Sequence, residues 1–293
     1  MMKIIDPHLH LFDLDKGQYD WLKMENPPFW PDKATIANNF SEQDIHLSSP
    51  LKLAGFVHIE AGFDNTNTWR EIEWLEQSCR VDFRSVAMLD ITLLPAVFSQ
   101  QLTKLLRYKS VVGIRHILDD DALAILNNGN SKDNLQQLAK HKLSFELQLP
   151  ITNDKVTQQL LKVISVTPEL FYCINHAGWP PVALEKDNNA PLNWQENIKK
   201  LSQFSNVYIK CSGYEMADRQ YSKQWQEDII SVCIANFGIS RVMLASNFPL
   251  NLWHSTYQQN WLNHYNLHYS KSELNKLCYQ NSYGFYKFNH SAK

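Results

Sequence analysis

The sequence predicts an α/β fold, a (β/α)8 barrel with a long aromatic-rich loop after its first strand, and three observations carry that prediction. Short β-rich runs alternate with longer helical patterns along nearly the whole chain, the pattern of a parallel sheet. The runs number eight over 293 residues, which matches the count and approximate length of such a barrel. Polar residues recur at the ends of the runs, where barrels of this kind place their active sites. A doubly wound dinucleotide-binding sheet is the rival architecture, but no G-x-G-x-x-G follows the first run.

Taken in order, Ile4–Leu9 reads as the first strand and Leu51–Ile59 as the second, followed by a helix near Thr66–Val81. Ser85–Leu89 is the third, with a helix near Ala96–Tyr108. Val111–His116 is the fourth, followed by a helical stretch between Asp119 and Lys140. Leu143–Leu149 is the fifth, closed by Pro150, with a helix near Lys155–Val166. Leu170–Asn175 is the sixth, with a helix near Trp194–Phe204. Val207–Cys211 is the seventh, with a helix near Tyr221–Phe237, and Val242–Ala245 is the eighth, before a final helix near Ser272–Tyr286. No linker or low-complexity segment splits the chain, so residues 1–293 are expected to form one domain.

One segment breaks this rhythm. Phe12 to Pro50 separates the first two strands and carries Tyr19, Trp21, Phe29, Trp30 and the prolines Pro27, Pro28 and Pro31. In a barrel it leaves the face where ligands bind, so it is expected as a lid or pocket wall, or as a cap that only packs there. Tyr19 and Trp21 are its candidate ligand contacts.

Composition narrows the function. The net charge is -2 and no basic block occurs, which argues against nucleic acid or an anionic membrane as partner. The five cysteines are odd in number and lack C-x-x-C spacing, so neither a disulfide framework nor a finger-type zinc site is expected. No signal-peptide core and no run of about 18 apolar residues is present, so the expectation is a soluble, cytoplasmic protein. A small-molecule substrate is the expected partner, with a homo-oligomer left open.

The chemistry gathers at the strand ends. Asp6, His8 and His10 are spaced by two, so in a regular strand they share one side. Two histidines in H-x-H spacing either ligate one metal ion or pack in a polar strand end. His58 and Glu60 close the second strand, Arg115 and His116 the fourth, Gln148 follows Glu146 on the fifth, and Asn175-His176 ends the sixth. Lys210 and Ser212 lie on the seventh, where Lys210 either faces the pocket or pairs with Glu146 beneath it. Ser246-Asn247 ends the eighth. A ring of buried polar groups is costly in a core and useful in an active site. His254, His264, His268 and His290 fall in the last loop and helix and are expected at the surface, and Trp179 either lines the pocket or packs.

Five segments, IDPHLHLFD (5–13), VVGIRH (111–116), INHAGWP (174–180), VYIKCSG (207–213) and RVMLASNFP (241–249), run in order over nearly the whole chain. Together they resemble the amidohydrolase superfamily, in the branch of barrel hydrolases containing pyrone-dicarboxylate and sugar-acid lactonases. The resemblance implies that His8, His10 and His176 are catalytic and, where a divalent ion such as zinc is bound, its ligands. It implies that Arg115 holds a substrate carboxylate; the strand-end positions add His58, Glu60, Gln148 and Lys210 as further candidate ligand contacts. Most members of the family carry an aspartate as general base where this chain has Asn247. An amide has no useful basicity near neutral pH, so Asn247 puts both the usual base and the metal in question, and metal-independent members exist in this branch. The expectation is a hydrolase opening a small carboxylated or sugar-acid lactone, with His176, His58 and Glu60 as candidate bases. Decarboxylation of an aromatic or unsaturated acid and non-catalytic binding are the alternatives.

Overall fold

The structure, a computed structural model, describes residues 1–182 and 190–288. Eight strands form one sheet in sequence order: β1 (Met2–Leu9), β2 (Leu51–Ile59), β3 (Phe83–Met88), β4 (Val111–Arg115), β5 (Ser144–Leu147), β6 (Phe171–Ile174), β7 (Val207–Cys211) and β8 (Val242–Leu244). All seven neighbouring pairs are parallel. The sheet closes where Leu9 bridges Phe248, the N–H of His10 donating to the Phe248 carbonyl at 2.7 Å and that of Asn247 to the His8 carbonyl at 2.9 Å. The (β/α)8 architecture read from the sequence is therefore the architecture observed.

Two apolar layers hold it. Outside the sheet, residues such as Phe56, Phe145, Tyr172 and Ile209 pack against the helices. Inside, Ile5, Val57, Ile59, Val86, Val112, Cys173 and Met243 fill the barrel, with Tyr286 and Phe288 joining this inner layer. Period-two alternation separates the layers: on β7, Ile209 and Cys211 belong to the outer layer and Lys210 turns inward. All five cysteines are free and buried. Among the described residues, no helix is long and apolar enough to cross a membrane.

Two helical expectations change and one helix is new. The stretch Asp119–Lys140 is two α-helices, Ala122–Asn127 and Ser131–Lys140. They part at Asn128-Gly129-Asn130, where Asn128 turns extended and its side chain accepts the Asn130 N–H at 2.9 Å. The final helix holds a π-helical turn, Lys276–Gln280, between Lys271–Asn275 and Asn281–Phe285. An unexpected helix, Tyr257–Tyr265, is capped by Thr256 and buries Tyr257, Trp261 and His264. His264 is thus in the core rather than at the surface, its ring edge-on to Trp261 at 5.3 Å and its pKa held down to about 4 by burial. His268 is exposed, His254 is partly buried against Tyr221, and His290 lies outside the described residues.

The segment after β1 folds back over the barrel mouth. The Phe12 and Phe40 backbones pair, and the buried Lys33 ammonium donates to the Lys23 and Asn26 carbonyls at 2.9 and 2.7 Å. The Trp21 indole N–H donates to the Ala61 carbonyl at 2.7 Å. Asp32 pairs with Arg219 at 2.8 Å, and the Arg219 guanidinium lies 3.6 Å above the Trp253 ring. The segment is thereby tied to the loops that follow β7 and β8.

Candidate active site

A cavity of about 630 Å3 opens at the C-terminal ends of the strands. One wall is aromatic, built from Trp21 and Trp30 of the covering segment and Trp179 after β6. Its polar lining includes His10, Glu60, Arg115, Gln148, His176 and Asn247, with Asn65 and Asp119 beside them.

His8, His10 and His176 lie together at the strand ends. The His8 ring centroid is 5.2 Å from that of His10 and 4.5 Å from that of His176. Asp6 does not join them. A register irregularity between Asp6 and Leu9 breaks the two-residue alternation, and Asp6 instead accepts the backbone N–H groups of His8 and Ser246, each at 3.2 Å.

His176 reaches the cavity through an unusual turn. His176, Ala177, Gly178 and Trp179 all have positive φ, between 51° and 70°. Three of the four are not glycine, so the turn stores strain. The ring lies against Gly213, where a Cβ would meet its Nδ1 at 2.3 Å, and Nδ1 sits 3.1 Å from the Ser212 hydroxyl. His10 is oriented differently: its Nδ1 is 2.7 Å from the Ile59 carbonyl. A carbonyl only accepts, so Nδ1 carries the proton and Nε2 keeps its lone pair.

Beneath His8 lies a fully buried ion pair. Lys210 reaches Glu146 at 2.8 Å, and Glu146 also accepts from Tyr286 at 2.6 Å and from the Asn175 amide. The ammonium sits 3.5 Å from His8 Nδ1. Burial pushes the pKa of all three histidines well below the usual value; Lys210 adds to this at His8, and Arg115 is the next cause at His10 and His176. The three imidazoles are neutral at neutral pH.

This chemistry tests the metal expectation. His10 suits a ligand, since its second nitrogen is fixed on a carbonyl. His8 is less suited, because the Lys210 ammonium stands 3.5 Å from its Nδ1 and that positive charge opposes a second cation on the same ring. Among the described residues, no group of three or more His, Cys, Asp or Glu side chains is arranged to hold an ion. A divalent ion held jointly by His8, His10 and His176 does not fit this arrangement.

Arg115 is fixed by neighbours. Its Nε donates to Glu60 Oε1, one terminal nitrogen to the Glu60 carbonyl and the other to Gln148 Oε1, each at 2.7 Å. Gln148 in turn donates to Asp119 at 3.1 Å. Asp119 sits at φ 29°, and its other oxygen is buried without a partner.

Several sequence-predicted contacts lie elsewhere. His58 turns away from the barrel interior, opposite Val57 and Ile59, and its Nε2 meets Glu71 Oε1 at 3.0 Å while Nδ1 accepts the Leu11 N–H. It does not share a face with Glu60, which lies past the end of β2. Tyr19 packs between Phe12 and Phe63, 1% exposed, and its hydroxyl accepts the Asp13 N–H. Lys210 is held under the cavity floor by Glu146. His116 is turned toward Asp90 and the Ile91 N–H. Asp119, Trp30 and Trp179 line the cavity beside the predicted residues.

Asn247 has φ 60° at the end of β8, and its amide Nδ2 donates to Glu215 Oε1 at 2.6 Å. Glu215 follows β7 in the short helix Tyr214–Ala217, and the sequence reading missed it.

A Sinorhizobium fredii protein of uncharacterised function is 27% identical over 309 residues, covering 97% of this chain and 98% of its own. A zinc-bound amidohydrolase from Burkholderia multivorans superposes with a TM-score of 0.78 at 17% identity, covering 97% of this chain and 99% of that one. A protein named as a 2-pyrone-4,6-dicarboxylic acid hydrolase, from Acinetobacter baumannii with citric acid bound, gives 0.70 at 17% identity over 98% and 100% of the two chains. These two structures share the fold. The amidohydrolase family model matches residues 5–288, and the chain belongs to the amidohydrolase family.

Proposed function

We propose that this hydrolase opens a lactone, and that the lactone is a neutral, hydroxyl-rich ring of the sugar-acid kind. The pairing of Arg115 is the observation that carries this reading. Arg115 already satisfies Glu60 and Gln148, and Asp119 adds a second carboxyl to the lining. A dicarboxylate would bring two more negative charges to this lining and compete with Glu60 for one guanidinium. Hydroxyl groups can instead donate to Glu60 and Asp119, while the C–H face of a sugar ring stacks on tryptophan.

The chain's own residues supply a mechanism. Water held between His10 Nε2 and Asn247 attacks the ester carbonyl, and the proton it loses passes to His10 Nε2, the nitrogen left bare by the Ile59 carbonyl. The carbonyl oxygen becomes an oxyanion, which the remaining Arg115 N–H groups and His176 stabilise as donors. That negative charge also favours the imidazolium form of His10, against the burial that lowers its basicity. The ring C–O bond then breaks, the ring oxygen takes the proton as an alcohol, and the acid product ionises.

A proton-release screen tests this, run on sugar-acid lactones, muconolactones and pyrone dicarboxylates, with and without a chelator. Turnover of the sugar-acid lactones that survives the chelator is the expected outcome. The zinc-bound relative is the ground for the chelator arm, and activity lost there overturns the metal-free mechanism. Preference for pyrone dicarboxylate overturns the substrate class, and carbon dioxide release from an aromatic acid without lactone hydrolysis overturns the reaction.

A further inference from the structure

Asn247 presents an amide to the cavity at the end of β8, and a carboxyl stands directly behind it. Asn247 lines the cavity, and its Nδ2 donates to Glu215 Oε1 at 2.6 Å. Glu215 is 1% exposed. Arg219, four residues on, does not take the carboxyl: its guanidinium goes to the Glu215 backbone carbonyl and to Asp32 of the covering segment. The other titratable groups around Glu215 are Tyr214 on its own helix and Tyr221, whose ring is stacked on His254 at 4.0 Å.

A carboxylate can only accept hydrogen bonds, whereas a carboxylic acid can donate one. An ionised Glu215 therefore requires the NH2 of Asn247, and the amide oxygen is left for the cavity. A protonated Glu215 donates to that oxygen and leaves the NH2 for the cavity instead. We propose that Glu215 is a positioning residue that sets the polarity Asn247 shows to the ligand, with the amide oxygen inward when Glu215 is ionised and the NH2 inward when it is protonated. Burial holds the Glu215 pKa up to about 7, against the Asn247 hydrogen bond that lowers it, so both states are reached near neutral pH. The oxygen-inward state accepts a hydrogen bond from water or a substrate hydroxyl; the NH2-inward state does not. The Asn247–Glu215 unit is thus an amide whose direction a hidden acid controls.

The catalytic consequence rests on the hydrolase reading, but the turning of the amide does not. Full-length protein labelled with 15N-asparagine, titrated from about pH 5 to about pH 9, reports the Asn247 side-chain amide directly. The expected result is one titration near neutrality in the wild type, lost in Glu215→Gln. An Asn247 amide that stays flat in the wild type, or titrates unchanged in Glu215→Gln, overturns the proposal. Should Glu215→Gln fail to fold, 13C-carboxyl labelling of glutamate in the wild type decides it: the Glu215 carboxyl and Asn247 amide share one midpoint, and separate midpoints overturn it. Where a lactone substrate is found, the acid limb of kcat/KM flattens in Glu215→Gln, and an unmoved limb overturns the catalytic role while leaving the hydrolase reading standing.

Discussion

Gly213→Ala probes the packing that aims His176. The added Cβ would lie 2.3 Å from Nδ1 and 2.6 Å from Cγ of the His176 ring, against an ordinary contact of about 3.5 Å. The ring must therefore retreat by about 1 Å. That retreat breaks its contact with the Ser212 hydroxyl, worth about 1 kcal/mol. Gly213 also has φ 69°, where an L-residue costs about 1–2 kcal/mol. The expected loss of stability is roughly 2–3 kcal/mol, read by urea denaturation. A misplacement of this size costs about a hundredfold in turnover of the lactone identified by the screen. The His176 ring resonances should shift as well. Wild-type stability together with unmoved His176 resonances would refute the argument that glycine is required for this ring position.

Further outcomes follow from the same geometry. Lys210→Met leaves Glu146 buried without its cation and should cost about 3–5 kcal/mol of stability; a urea midpoint within error of the wild type contradicts this. Glu215 has its folded pKa raised from 4.5 to about 7, so ionising it penalises the fold increasingly as pH rises through that window. Glu215→Gln removes the penalty, and its stability relative to wild type should improve by about 3 kcal/mol between pH 4.5 and pH values above 7. A pH-independent difference between the two proteins refutes it. Arg219→Ala removes the Asp32 pair and the stack on Trp253, a partly exposed contact worth about 1 kcal/mol. Hydrogen exchange in the covering segment should accelerate while the barrel strands keep their protection, and equal protection in both proteins counts against the tie.

The barrel was legible because its signal is repeated: eight β-rich runs alternate with helical patterns, and an error of a residue or two at one strand leaves the count unchanged. The helix Tyr257–Tyr265 was not legible, since YQQNWLNHY is polar by composition and buries itself through Tyr257 and Trp261, one turn apart. The candidate site was legible as a cavity lining at His10, Arg115 and His176, where strands end inside the barrel. It was misread at His58, because pairing it with Glu60 assumed a strand that continues, whereas β2 stops at Ile59 and frees Glu60 to turn inward. Asp6 failed for a related reason, a register irregularity that no one-dimensional pattern reveals. Glu215 left no trace in the sequence at all. Its significance lies in meeting Asn247, 32 residues away, across the ends of β7 and β8.

The Lys210–Glu146 pair also decides the traffic of the site. Both side chains are fully inaccessible, and Val57, Met243 and Tyr286 fill the barrel interior. The cavity therefore has a sealed floor. Whatever enters to react, the water it consumes and the proton and product it leaves behind all cross the upper rim, beside Trp21, Trp30 and Trp179. Residence time in this protein is then a property of that aromatic rim and of the segment that carries part of it, separately from the speed of bond breaking underneath.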